Sequence, residues 1–229
     1  MLDGRWKTDI ERRLQPVGSD ISRTGLTADH LTLLGVVMAF AAAIAIASGA
    51  LRLGVVLLAA TALPDALDGA VAKASGTASP RGAFLDSVAD RFTDSLLLGG
   101  VAWYLSSTYG GRIVLLPFAL LAVSMLVSYQ RAKAESLGFE ARGGLMERAE
   151  RIMALGLGLL FDWALVPVLW IMLVLTAFTA AQRFAKVWRQ ASVPVIVKPP
   201  AKVAWRGRRL SRRREQAWRH RPRSRRRTH

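Results

Sequence analysis

Long stretches without a single charge decide most of what this chain can become. Leu31–Leu51, Leu53–Pro64, Ser95–Gly111, Ile113–Gln130 and Trp163–Gln182 are uncharged, mostly apolar and separated by few residues. Several reach the roughly 20 residues that an α-helix needs to cross a bilayer. A soluble core rarely holds so many such runs, so lipid is the expected solvent. Composition agrees: 52% of residues are hydrophobic although 21% are charged, and the mean hydropathy is +0.27. The two populations are kept apart along the chain.

The pattern predicts an all-α integral membrane protein with six transmembrane helices, near 31–50, 53–73, 86–106, 112–133, 147–162 and 164–187. The fifth has the weakest signal, because only Ile152–Phe161 is free of charge. Ahead of them, Leu2, Trp6, Ile10 and Leu14 recur every four residues among Arg5, Lys7, Arg12 and Arg13. That spacing predicts an amphipathic helix over residues 1–24, lying in the headgroup region. Residues 25–188 then form the membrane domain. Residues 189–229, with Pro199-Pro200 and Arg-rich clusters, read as a disordered basic tail. The first 25 residues carry no apolar h-region, so no cleavable signal is expected. Cysteine is absent, which rules out disulfides.

The net charge of +16 belongs to that tail. From Arg189 to His229 there are 15 Lys/Arg and one acid, a net of +14, while the other 188 residues carry 17 basic and 15 acidic side chains. Lys73, Arg81, Arg91, Arg131, Lys133, Arg142, Arg148 and Arg151 fall on one set of connections, against Arg52 and Arg112 on the other. The positive-inside rule therefore expects both termini in the cytoplasm of a multi-pass protein of the plasma membrane. Trp103, Trp163 and Trp188 fall near span ends and read as interfacial anchors. The tail suits anionic lipid headgroups, at about 1 kcal/mol per basic residue near the surface. Non-specific nucleic-acid binding is the lesser reading.

The chemistry is concentrated in Pro64–Asp94, PDALDGAVAKASGTASPRGAFLDSVADRFTD. Asp65 and Asp68 are three apart at the end of the second span, and Asp86 and Asp90 four apart at the start of the third. Either spacing places two carboxylates on one helical face. Four acids packed at a membrane edge need positive charge to neutralise them. An all-oxygen set without Cys or His favours Mg²⁺, Mn²⁺ or Ca²⁺ over zinc. Two such ions, ~4 Å apart, would clamp the attacking and leaving oxygens of an in-line displacement at phosphorus. Gly69, Gly82 and Ala72 leave room for a ligand to approach the backbone. Simple pairing of these acids with Lys73, Arg81 and Arg91 is the plainer alternative, and two pairs at this spacing disfavour it.

The stretch resembles the signature of the CDP-alcohol phosphatidyltransferase family, D-x2-D-G-x2-A-R-x8–9-G-x3-D-x3-D. Asp65, Asp68, Gly69, Ala72, Gly82, Asp86 and Asp90 match it. Lys73 stands where the family has arginine; it keeps the charge and loses the bidentate fork. The resemblance implies a six-helix membrane enzyme, usually a homodimer, that attacks a CDP-linked lipid with an alcohol and releases CMP. It also implies that Asp65, Asp68, Asp86 and Asp90 hold two Mg²⁺ or Mn²⁺ ions, with Asp90 as general base. Asp94, one turn beyond, reads as supporting rather than catalytic.

A second stretch, Ser128–Ile152, concerns the acceptor. Arg131, Arg151 and Arg183 come from three helix ends on the same expected face, and such a set can enclose a phosphate. Residue by residue, pairing with Glu135, Glu147 and Glu150 explains them as well; their joint placement favours a phosphorylated acceptor. The S-Y-x-[KR]-A-[KR]-A-E and E-R-x-E-R elements resemble the actinobacterial phosphatidylinositol phosphate synthases, over about residues 20–188. By that likeness Arg131, Arg151 and Arg183, with Ser128 nearby, hold the phosphate of inositol 1-phosphate, and CDP-diacylglycerol is the donor. Asp29 and Thr32 would touch the cytidine, beside Gly69, Ala72, Lys73 and Gly82. A phosphatidylglycerophosphate synthase using glycerol 3-phosphate is the same-fold alternative. A non-catalytic protein that binds anionic lipid or nucleic acid through its tail is the alternative from another class.

Overall fold

A computed structural model describes residues 27–61, 79–141 and 143–192. All regular structure among them is helical: α1 (Ala28–Ala47), α2 (Leu51–Thr61, as far as it is described), α3 (Pro80–Thr108), α4 (Leu115–Ser136), α5 (Arg148–Leu160) and α6 (Leu165–Ala191). Short 3₁₀ turns, Gly111–Val114 and Asp162–Ala164, lead into α4 and α6. Three segments are long and apolar enough to cross a membrane: Ala28–Ala47, Gly111–Ser136 and Asp162–Ala191. Leu51–Thr61 is a shorter apolar helix. The expected helix over 1–24, the end of the expected second span with Asp65 to Lys73, and the expected tail from Val193 on lie outside the described residues.

Local chemistry moves the helix ends away from the edges of the apolar runs. Thr27 and His30 form a capping box, the Thr27 side chain accepting from the His30 N–H and the His30 ring accepting from the Thr27 N–H. This satisfies two orphan donors and starts α1 three residues before the expected span. Gly49, at φ +83°, makes the turn into α2, a backbone geometry that a side chain would strain. Ser79 caps α3 and Pro80 occupies its first turn. The helix therefore begins six residues before the expected 86, and Asp86 sits nearly two turns inside it. At the other end of the bundle sequence, α6 runs to Ala191, three residues into the segment expected to be tail. Stacking of Phe184 on Trp188 supports that extension, with ring centroids 5.7 Å apart.

The core is built from Ala42 and Ile46 of α1, Leu97, Val101 and Leu105 of α3, Leu120 of α4, Leu159 of α5 and Leu169 of α6. The pairings α1 with α3, α4 with α6, α5 with α6 and α3 with α4 bring them together. α1 and α3 come close at Gly100, where an added Cβ would stand 2.6 Å from the Ala43 carbonyl oxygen. Outward-facing Leu34, Val37, Phe40, Ile44, Leu126, Trp170, Val174 and Phe178 are exposed and apolar. A helix that is apolar on both its packed and its outer face suits a lipid surround. Trp103, Trp163 and Trp188 are also exposed.

The segment between α4 and α5 is tied down onto α6. The Glu140 N–H donates to Gln190 Oε1 at 2.9 Å, and Gln190 Nε2 donates back to the Glu140 carbonyl at 2.7 Å. The Met146 N–H donates to Thr179 Oγ1 at 3.2 Å. These bonds fix where α5 begins, and hence where its arginines stand.

Candidate active site

The charged half of α3 carries the site. Asp86 and Asp90 lie one turn apart and line one cavity with Thr32 of α1, Thr61 of α2, Thr93 and Arg148. Thr32, expected at the cytidine, thus comes beside both aspartates, while its hydroxyl donates to the Ala28 carbonyl at 3.1 Å. Asp29 stands one turn earlier and pairs with Arg81 at 3.2 Å, linking the starts of α1 and α3. The Gly82 N–H donates to Ser79 Oγ at 3.2 Å, and among the described residues that oxygen, at 3.6 Å, is the nearest atom a Cβ on Gly82 would meet.

A chain of alternating charges runs from α3 to α5. Asp90 Oδ1 is 3.0 Å from Arg148 Nη1, and Asp90 Oδ2 is 3.8 Å from Arg91. Arg148 Nε is 3.7 Å from Asp94 Oδ1, and Arg151 Nη2 is 3.0 Å from Asp94 Oδ2. Asp90 and Asp94 are four apart on one helix, Arg148 and Arg151 three apart on the other, so each pair presents a single face. Arg148 is the site residue that sequence reading missed. It belongs to the E-R-x-E-R element, which gives it no role of its own, although i,i+4 acids opposite i,i+3 arginines are visible in the spacing.

The arginines expected to hold a phosphate have separate partners. Arg151 is buried, donating to Asp94 and, at 3.5 Å, to the Met146 carbonyl. Arg183, 4% exposed, donates to the carbonyls of Val127 at 2.9 Å and Gly143 at 3.1 Å, and lies 3.6 Å from Glu147. Its Nε is buried with no hydrogen-bond partner among the described residues. The charges of Glu147, Arg131, Arg151 and Glu135 all act on Arg183. Arg131 itself is exposed and pairs with Glu135 at 3.0 Å. Ser128 is half-buried. Arg183 also borders a cavity of about 730 Å³, together with Gly143, Lys186, Arg189 and Gln190. The three arginines are neighbours, but each is held by its own contacts rather than gathered around one point.

The donors on α1, α2 and α3 are carboxylate and hydroxyl oxygens, which suits a hard divalent cation. Guanidinium groups beside both Asp90 oxygens show that the carboxylate takes positive charge there. Among the described residues no three His, Cys, Asp or Glu side chains group closely enough to hold an ion. Asp65 and Asp68, the other expected ligands, lie outside them, as do Gly69, Ala72 and Lys73.

An apolar helical bundle with an acidic cavity at the charged end of one helix defines a membrane enzyme working on a polar headgroup. Residues 25–188 match the CDP-alcohol phosphatidyltransferase family, and the chain belongs to it. It is thus an enzyme of that class. It is 39% identical to an archaetidylinositol phosphate synthase of Methanothermobacter thermautotrophicus, over 79% of this chain and 91% of that protein. It is 33% identical to a phosphatidylinositol phosphate synthase of Mycobacteroides abscessus, over 73% of this chain and 80% of that protein. The crystal structure of Mycobacterium tuberculosis phosphatidylinositol phosphate synthase with CDP-DAG bound superposes with a TM-score of 0.73 at 30% identity, covering 83% of this chain and 99% of that one. The same enzyme in complex with manganese and citrate gives a TM-score of 0.71.

Proposed function

We propose that the chain transfers the phosphatidyl group of CDP-diacylglycerol to inositol 1-phosphate, giving phosphatidylinositol phosphate and CMP. The observation that carries the acceptor is Arg183. A guanidinium this buried, with an Nε–H that has no partner among the described residues, calls for an acceptor, and a substrate phosphate oxygen would supply a charged one. The names of the relatives support the same head group: archaetidylinositol phosphate and phosphatidylinositol phosphate share inositol phosphate and differ in the lipid.

In this reading Asp65, Asp68, Asp86 and Asp90 hold two Mg²⁺ or Mn²⁺ ions. The ions supply charge neutralisation at the diphosphate and an acceptor hydroxyl that ionises more readily. Asp29, Thr32, Gly69, Ala72, Lys73 and Gly82 place the cytidine diphosphate. Arg131, Arg151, Arg183 and Ser128 take the acceptor's phosphate, which orients its free hydroxyl toward phosphorus. Asp90 accepts the hydroxyl proton on a carboxylate oxygen as the new P–O bond forms. The bond to CMP breaks, and CMP leaves as the monoester. The protein works as a homodimer in the plasma membrane, with six spans, an interfacial helix over 1–24, and both termini in the cytoplasm. Segment 189–229 lies against anionic lipid, and nucleic acid is not its partner.

The pocket is tested by kinetics. Arg183→Ala should raise the KM for inositol 1-phosphate by roughly ten- to a hundredfold, the loss of one charged hydrogen bond. The KM for CDP-diacylglycerol should stay within about twofold of its starting value. Equal increases for both substrates would remove Arg183 from the acceptor pocket.

A further inference from the structure

Arg148 has no part in the chemistry above, yet it touches the carboxylate to which the most chemistry is assigned. Its Nη1 is 3.0 Å from Asp90 Oδ1 while its Nε stays within 3.7 Å of Asp94 Oδ1. The second Asp90 oxygen faces Arg91 at 3.8 Å. A guanidinium 3.0 Å from one carboxylate oxygen supplies there the positive charge that a bound cation would supply, so the two compete electrostatically for Asp90. The Asp90–Arg148 pair is moreover only about one-fifth exposed, at 20% and 24%. Water therefore screens it less than it would a surface pair.

We propose that Arg148 competes with the divalent cation for Asp90 and is displaced from it when the cation binds. The proposal rests on Asp90 being a metal ligand. Asp94 retains the arginine after displacement, because the Nε contact lies on the other carboxylate. The released Nη1 stays at the edge of the cavity lined by Thr32, Asp86 and Asp90. Asp94 also holds Arg151. Cation arrival at Asp90 is thus felt, through Arg148 and Asp94, at Arg151 of the proposed acceptor pocket. Arg148 acts as a positioning residue: it holds the carboxylate in place before the ion arrives and couples the two subsites afterwards.

Metal affinity decides the matter without any turnover. Mn²⁺ is titrated into the purified full-length protein without substrates, and free Mn²⁺ is followed by its paramagnetic resonance. Arg148→Gln should tighten Mn²⁺ binding roughly fivefold, the worth of a partly exposed ion pair. Arg148→Lys should fall between the two. Arg91→Gln removes the same charge from a longer contact and should change affinity less than about twofold. General damage to the fold would weaken binding, so tightening cannot be mistaken for it. Unchanged or weaker binding in Arg148→Gln, or equal tightening in Arg91→Gln, would overturn the competition. Asp90→Asn tests the underlying reading separately. Weaker Mn²⁺ binding keeps Asp90 as a ligand, and unchanged binding removes both that assignment and the competition built on it.

Discussion

At the residue scale, Asp90 and Arg151 carry opposite kinds of consequence. Asp90 is held by Arg148 and Arg91, and its proposed work is to accept a proton. Asp90→Asn should lower turnover by roughly 10²- to 10⁴-fold, the usual contribution of a general base. The melting temperature should change by only a few degrees, and an active Asp90→Asn enzyme would assign the base elsewhere. Arg151 also supports the fold. Its side chain is 8% exposed and Asp94 13%, so Arg151→Ala leaves a carboxylate buried with weakened compensation. A loss of about 3 kcal/mol is the expectation, read as a lower midpoint in denaturant or heat. Arg151→Lys should recover part of that stability. A melting curve unchanged in Arg151→Ala would show that the pair contributes nothing to the fold.

Much of the site was legible because helix periodicity turns sequence spacing into geometry. Asp86 and Asp90 do share a face and a cavity, as i,i+4 spacing dictates. Asp94 does support its neighbours, through Arg148 and Arg151. The hydrogen bonds of Arg183 to Val127 and Gly143 were not legible. They depend on how the α4–α5 segment lies across α6, which the Gln190 and Thr179 bonds decide and no local spacing encodes. Arg131 pairs with Glu135, the i,i+4 partner that the sequence offers, whereas Arg151 turns to Asp94, which only packing brings to it.

At the scale of elements, apolar runs located the helices and capping chemistry placed their ends. The run Leu31–Leu51 ignores Thr27, yet the Thr27–His30 box starts α1 ahead of it. Ser79 and Pro80 do the same for α3, whose charged first half keeps it out of the three segments apolar enough to cross a membrane. The α1–α3 contact carries Asp29, Thr32, Asp86 and Asp90, so its fit matters beyond the core. Gly100→Ala would press a methyl group against the Ala43 backbone, 2.6 Å from its oxygen. Backbone cannot give way as a side chain can, so overpacking of about 1–3 kcal/mol is expected. Gly99→Ala, with nothing within 4 Å of its Cβ, is the matched control and should be neutral or slightly stabilising. Equal melting temperatures for the two variants would mean that α1 and α3 do not pack this closely.

At the scale of the whole molecule, single-cysteine labelling tests the topology and truncation tests the tail. The chain has no cysteine, so single cysteines report their own side of the membrane without background. Cysteines at Lys133 and Gly138 should label from the cytoplasmic side and at Ser107 and Arg112 from the opposite side, as six spans with cytoplasmic termini require. Labelling of both pairs from one side would contradict that arrangement. Removing residues 194–229 strips most of the excess positive charge. If the tail serves lipid attachment alone, most CMP-forming activity should survive, and binding to anionic vesicles should fall by roughly tenfold or more.

The reaction itself is tested most directly by CMP release from CDP-diacylglycerol by the purified protein with Mg²⁺. Inositol 1-phosphate, glycerol 3-phosphate, free inositol and no acceptor would run in parallel, each repeated with excess chelator. Release with inositol 1-phosphate alone, abolished by chelator and restored by Mn²⁺, is the expected result. A preference for glycerol 3-phosphate, or release that survives the chelator, would contradict the proposed acceptor or the proposed metal site respectively.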